Sequence, residues 1–488
     1  MALFTDVIFL SLTAFLGLFV VANSSSPGII ARFSNAGFQY IVFESLKSTL
    51  KRDVKVPDQS GSFSPAVGSV EYHLTEVVSK LTPNQVTTRI NPGTGVTVSI
   101  GQMEASIRGK FSYKYTVMNI PTTSNSGNFV LTTSDVSLSV DMTVEMNVDD
   151  QPVVDFTNCS ASVENIDLKL DASYRPTSFL NIFKGRLEDY LCDAIRNKRN
   201  LIEELLNNMK PCLDKACNFR IDLNFVSPLV FGENFIETSH RGELFWKNDT
   251  VSAPLEALLF QPLPPSSKMA ELYVSSYVLN TALFTMYRSN LLNYMFTKDD
   301  LLYECQNALD TSCESNNSLC IGNIFPGEFV SSPSASLELG LVTDSPPFIS
   351  ISNASLSIAF SIHANISVIN SDGIVVAMRQ LLLRGSFLGF IFINPDALMD
   401  FNATDVTFEN ATFGDTELEI DRFKSEDSDA ISRLKSITIQ CVLSKLIAYR
   451  QSSLSVTNLG GFHTTNRALK LIENAVAFTF DGFYSNGI

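Results

Sequence analysis

The side chains best suited to chemistry are few and scattered. Four histidines, His73, His240, His363 and His463, lie far apart, and no close-spaced ligand set surrounds any of them. The Gly-x-Ser-x-Gly elbow, the Gly-x4-Gly-Lys-Ser/Thr phosphate loop and the His-Glu-x-x-His helix are all absent from the sequence. His73 and His363 fall inside strand patterns, and the carboxylate runs at Glu417 to Glu419 and Glu426 to Asp429 suit a solvated face. The eight cysteines, Cys159, Cys192, Cys212, Cys217, Cys305, Cys313, Cys320 and Cys441, are even in number and lack zinc-site spacing. Their chemistry is oxidative pairing, with four disulfides expected in an oxidising compartment. The sequence implies no enzyme, cofactor or metal.

Other features agree with that compartment. Val7 to Ala22 is apolar and ends in Val20-Val21-Ala22, which reads as a secretory signal peptide over residues 1–22. No later run is apolar for long enough to span a bilayer. Eight Asn-x-Ser/Thr sites, Asn23, Asn158, Asn248, Asn316, Asn353, Asn365, Asn402 and Asn410, predict glycosylation, the last seven of them in the mature chain's body. The formal charge of −16 makes nucleic acid and anionic membrane poor bulk partners. With 36 Phe and one Trp in 488 residues, the apolar content is enough both to build cores and to line a cavity.

The elements must therefore position an apolar surface. Between Asp135 and Val148 the chain alternates without a slip, placing Val136, Leu138, Val140, Met142, Val144, Met146 and Val148 on one side. Fourteen residues of strand span roughly 46 Å, at about 3.3 Å per residue. Ser34 to Lys51 carries Phe38, Ile41, Val42, Leu46 and Leu50 at helical spacing. Strand patterns occur at Glu71 to Lys80, Val86 to Ile100, Met103 to Met118 and around Ile166 to Leu170, with turns expected at Asn91-Pro92-Gly93 and Pro121 to Gly127. A second helix is expected from Pro176 to about Met209, with Phe183 and Leu187 on its apolar stripe. The proline-rich stretch 251–268 reads as a linker between halves at 23–250 and 269–488. Beyond it come a strand and helix from Glu271 to Phe296, strands through Leu337 to Leu341 and Leu356 to Ile362, a helix from Asp427 to Tyr449 and one final strand around Leu469 to Phe480. Both halves thus follow the order helix, strands, helix, strand.

Several segments resemble the family of lipid-binding glycoproteins that includes bactericidal/permeability-increasing protein, lipopolysaccharide-binding protein and the cholesteryl ester and phospholipid transfer proteins. They are Ser26-Pro27-Gly28-Ile29-Ile30-Ala31-Arg32-Phe33 followed by Gly37-Phe38-Gln39-Tyr40, Leu50 to Asp58 ending in Ser62-Phe63, and Leu272 to Asn280-Thr281-Ala282 after the linker. The resemblance implies an α+β fold of two elongated barrels, each of highly twisted antiparallel strands with long helices. They would be joined by a central sheet with pseudo-two-fold symmetry, in a boomerang-like molecule. It further implies a phospholipid-like ligand in an apolar tunnel of each barrel. Phe38, Ile41, Val42, Leu46, Val136, Leu138, Val140, Met142, Phe183 and Leu187 would line the first, and Tyr277 and Leu283 the second. It also implies a disulfide from a barrel strand to the second helix, which Cys159 and Cys192 fit, with Cys212 and Cys217 as competing partners for Cys159.

Burying a lipid tail yields about 0.8 kcal/mol per CH₂, so a sixteen-carbon chain represents over about 10 kcal/mol, which only a long apolar surface can receive. The endotoxin-binding members carry clustered lysines at the tip of the first barrel. Here Arg108, Lys110 and Lys114 are spaced by Phe111 and Tyr113, a pattern of solvated strand cations. The expected partner is a phospholipid or related amphiphile, in lipid transfer or defence. The alternative is a microbial-surface recognition protein with lipid as structural filler.

Overall fold

The computed structural model describes residues 26–50, 54–56, 58–64, 68–117, 120–147, 152–171, 217–247, 249, 251–300, 307–310, 320, 336–369, 375–393, 399–413, 458–459 and 462–484, together with single residues between 192 and 212. The expected signal segment, most of the helix after Pro176 and the helix at Asp427 to Tyr449 lie outside them.

In the first half, strand β1 (Ile29–Ser34) leads into helix α1 (Asn35–Leu50). There follow β2 (Val54–Val56), β3 (Gln59–Phe63), β4 (Ser69–Thr82), β5 (Gln85–Asn91), β6 (Gly95–Val117), β7 (Ile120–Met146) and β8 (Pro152–Leu170). Short strands β9 (Phe219–Asp222), β10 (Val230–Phe231), β11 (Phe235–His240) and β12 (Glu243–Trp246) close this half. The second half repeats the opening, with β13 (Ala270–Ser275) leading into helix α2 (Ser276–Arg288). It continues with β14 (Tyr294–Phe296), β15 (Ser336–Thr343), β16 (Phe348–Ile351), β17 (Leu356–Ile369), β18 (Val375–Ile393) and β19 (Met399–Phe413), then β20 (Asn458–Leu459), β21 (Phe462–Ile472) and β22 (Ala475–Tyr484).

Each half contributes one long antiparallel sheet, β2-β4-β6-β7-β8 in the first and β14-β15-β17-β18-β19 in the second. A short strand folds back on each as a hairpin, β5 on β6 and β16 on β17. A third sheet, β10-β11-β1-β13-β22-β21-β20, draws strands from both halves. At its centre β1 and β13 run antiparallel, from Ile29 opposite Val274 to Phe33 opposite Ala270. Each is flanked by a late strand of its own half, β11 or β22, and each feeds directly into its half's helix. The duplication seen as pattern in the sequence is thus an arrangement of strands.

Three strand expectations need correction. Gly101-Gln102 does not end a strand: β6 runs through it, with a register shift between Ile100 and Met103 and Gln102 at φ 52°. Pro121 to Gly127 is not a turn but the first part of β7, paired with Gly127 opposite Phe111. The last strand is a hairpin, β21 with β22, turning at Glu473-Asn474.

The stretch 251–268 carries no helix or strand, yet it is tied down. At one end the buried Glu243 accepts from the Ala253 amide, at 2.9 Å. At the other Glu271 accepts from the Ser266 amide, while Arg32 donates to the Leu263 carbonyl at 2.8 Å. Phe260 and Leu263 pack on Ile30, Tyr273 and Ala477 of the central sheet. Arg32, on β1, also bridges Glu237 of β11 at 2.6 Å and Glu271 of β13 at 2.8 Å, so one buried cation holds three neighbouring strands and the strap over them. Desolvation opposes that charge, but the two carboxylates outweigh it and raise the guanidinium pKa.

Candidate functional site

Helix α1 follows β1 without a loop and lies across the inner face of the first sheet. Gly37, in its first turn, faces the Met269 carbonyl so closely that a Cβ there would collide with it. Thr88 on β5 donates to the Asn35 side chain at 3.1 Å, fixing the start of the helix against the sheet. These contacts turn Phe38 and Val42 inward, each 1 % exposed.

Phe38, Ile41 and Val42 meet Val136, Leu138, Val140 and Met142 of β7 in a single apolar cluster. The strand residues are inward at every second position from Val136 to Val144, with intermediate or exposed residues between them. Neighbouring strands extend the surface with Val96, Val98, Ile100 and Met103 of β6 and with Val154, Phe156 and Val163 of β8. Among the described residues of β5 to β8 no buried side chain is charged, and Thr88 and Thr133 are the buried polar ones. The sequence already contained the signal for Val96, Val98 and Ile100 and for Val154 and Phe156, which alternate with period two as the β7 residues do, whereas Met103 and Val163 lie beyond a register shift. Ile41 also contacts the cluster of Ala270, Phe478 and Phe480, so it joins the first half's inner face to the central sheet.

One edge of this surface is β8. Cys159, within β8 rather than before a strand, is joined by a disulfide to Cys192, which is helical and buried against the same cluster. Glu203, also helical, accepts from the Val154 amide at 3.0 Å and from Arg199 at 2.9 Å. A buried edge amide thereby finds a partner in the helical segment. Cys212 pairs with Cys217, so neither competes for Cys159.

The remaining expected residues divide. Leu46 lies on α1 with its side chain outside the described residues, and Phe183 and Leu187 lie outside them altogether. Leu283 packs on Ile349, Ile351, Leu356, Leu471 and Val476, together with Leu279 one turn earlier. Tyr277 does not share that face. Burial, the nearby Glu243 charge and a hydrogen bond to that carboxylate raise its phenol pKa, and its ring lies over Gly28. On the same side of α2, Thr281 and Thr285 hydrogen-bond the backbone of Leu244. Tyr277 thus stands at the junction between the halves, beside Gly28 and Glu243.

At the far end of the first sheet, Lys110 forms an ion pair with Glu76 at 2.6 Å, and Lys114 stands opposite Glu71. Of the sequons, Asn158 is exposed on β8 and donates to Asp141 at 3.0 Å, which together with Thr97 lowers that carboxyl's pKa. Asn353 is exposed and Asn365 half-buried on β17, while Asn402 and Asn410 lie on β19. Asn23, Asn248 and Asn316 are outside the described residues. Among the described residues no His, Cys, Asp and Glu group could hold a metal ion, and no helix is long and apolar enough to cross a membrane.

Comparison with known proteins places both halves. The N-terminal domain of the LBP / BPI / CETP family matches residues 39–209, and its C-terminal domain matches residues 214–450. The mouse lipopolysaccharide-binding protein is 25 % identical over 402 residues, covering 78 % of each chain. A bactericidal permeability-increasing protein from Sebastes schlegelii is 24 % identical over 369 residues, 72 % of this chain and 76 % of that one. The crystal structure of lipopolysaccharide binding protein aligns over 94 % of this chain and 99 % of its own, with a TM-score of 0.43 and 18 % identity. With the two domain matches together spanning both sides of the strap, the chain belongs to the LBP / BPI / CETP family.

Proposed function

We propose that this protein is a secreted, non-enzymatic carrier that holds phospholipid-like amphiphiles against apolar surfaces in its two halves, in lipid transfer or innate defence. The observation that carries this reading is the charge-free inner face of β5 to β8 beneath α1, where seven of the expected lining residues converge. An acyl chain laid along that face exchanges water for hydrocarbon at every CH₂, and no buried charge opposes its entry. Residues 23–250 and 269–488 would form the two lipid-binding barrels, each twisted sheet wrapping its ligand with a long helix, in a boomerang-like molecule. The antiparallel β1–β13 pair, flanked alike on both sides, supports that pseudo-symmetric arrangement. Binding of polyphosphorylated bacterial lipid at the tip is the weaker reading, because Lys110 and Lys114 there face glutamates.

Mass spectrometry of the secreted protein, native and then after organic extraction, tests the proposal. About two phospholipid-sized ligands per chain are expected, the number that two enclosed apolar sites would hold. A lipid-free preparation that also takes up no fluorescent phospholipid would overturn it.

A further inference from the structure

The outer faces of the two long sheets differ. In the first half the outer face is a ladder of hydroxyls, with Thr87, Ser99, Ser139 and Ser160 in one cross-strand row. In the second half four large hydrophobics, Met295, Val342, Phe348 and Leu388, stand 38–62 % exposed on the outer face. Register places all four on that side: the partners of Leu339, Leu341, Ile358 and Leu356 point inward, and these residues alternate with them. His363, opposite Val342, and Arg384 both reach Asp344, so polar side chains interrupt the four, and Met295 is the most exposed of them at 62 %.

The sequence supplies a cover. Met295, Gly340 and Asn365 form one row across β14, β15 and β17, and Asn365-Ile366-Ser367 is a sequon. Gly340, in the middle of the row, is buried because the Met295 thioether and the Asn365 Cβ close over it from either side. A Cβ there would sit 3.4 Å from the Met295 thioether on one side and 3.6 Å from the Asn365 Cβ on the other. An exposed methionine and the attachment residue are thus next to one another across the glycine. Asn365 is half-buried, so a sugar on its amide starts close to the sheet.

We infer that an N-glycan on Asn365 lies along this row with the C–H face of its first sugar against Met295, shielding that side chain from solvent. This rests on the proposed secretion, since the glycan is added only in the secretory pathway. The C–H face of a pyranose is apolar, and covering the exposed Met295 removes hydrocarbon from water. Register also sets Asn410, in a second sequon, opposite Arg384, two rows along the same sheet.

The test reads glycan occupancy and methionine oxidation together. The full chain is expressed in a secreting eukaryotic cell, and peptide mass spectrometry follows Asn365 occupancy and the rate of Met295 oxidation by dilute peroxide, with the buried Met103 as internal control. Met295 should oxidise several-fold more slowly in the glycosylated protein than in Ser367→Ala, which loses the sequon but keeps Asn365. Gly340→Val should stay glycosylated yet lose the protection, because the added side chain displaces the Met295 thioether from the row. On folded wild-type protein, an endoglycosidase that leaves the first sugar should preserve protection, and an amidase that removes every sugar should abolish it. A secreted chain with bare Asn365, or with Met295 equally reactive in all forms, overturns the inference alone. A chain retained in the cell without glycan overturns the secretion reading with it.

Discussion

His240 lies buried at the end of β11, with the Phe225 ring 4.8 Å away and both ring nitrogens engaged. The 2.7 Å contact from Nδ1 to the Leu223 carbonyl requires the imidazole proton there, so Nε2 faces the Thr238 hydroxyl, at 3.0 Å, as an acceptor. Thr238 also lies 3.2 Å from the Ala31 carbonyl on β1, so its single proton serves two acceptors. Burial disfavours the imidazolium and lowers the pKa to about 4 from 6.5, with the Leu223 contact opposing. Because the folded pKa lies below the unfolded one, this residue's stabilisation is complete above pH 6.5 and is lost as pH falls toward 4, by about 3 kcal/mol in all. Urea midpoints should therefore fall between pH 7 and pH 5 in the wild type and fall distinctly less in His240→Gln. Equal pH dependence in the two proteins would show that His240 titrates normally.

At the level of the elements, the same physical signal was legible in one place and misleading in another. Unbroken alternation from Asp135 identified the inward residues of β7, because side chains on a strand must alternate. A slip in that alternation has two meanings, however. It can end a strand, or it can mark a bulge that keeps the apolar set inward while adding one residue. At Gly101-Gln102, and again between Thr133 and Val136, the second meaning holds: Ile100 and Met103 are both buried, as are Thr133 and Val136. Local sequence cannot distinguish these cases, since the choice is made by the partner strand. Proline 121 misled for a related reason: it lies near the end of its ladder, where a missing amide proton is tolerated. Tyr277 lies beside Gly28 and Glu243, a position that helical spacing does not disclose because it does not say which of two neighbours a face meets. The bulge conformation is itself testable. Gln102 sits at φ 52°, where a side chain is strained, so Gln102→Gly should raise stability and Gln102→Val lower it, each by about 1 kcal/mol in urea unfolding. Matching effects of one sign would mean that strand propensity, not the left-handed backbone, governs the position.

For the whole molecule, the question is whether the strap or the central sheet joins the halves. Proline-rich composition suggested a free connection, yet Glu243, Glu271 and Arg32 bind its ends and Phe260 and Leu263 its middle. Between those anchors Leu258 and Leu259 are 51 % and 76 % exposed, the two most exposed leucines among the described residues and so an accessible site for a protease of leucine specificity. Cutting there removes the only covalent link between the halves that the described disulfides allow. Cys159 pairs with Cys192 and Cys212 with Cys217, leaving every remaining cysteine on the C-terminal side. What would still hold the fragments is non-covalent: the five-residue β1–β13 ladder, Tyr40 and Ile41 against Phe478 and Phe480, and Ile29 and Ile221 against Val278. That surface includes the buried Arg32–Glu271 bridge, which separation would break, leaving Arg32 with Glu237 alone. The nicked protein should therefore elute as one species in native gel filtration and separate into two in denaturant without reductant. If the fragments part under native conditions, the strap is the true joint between the halves.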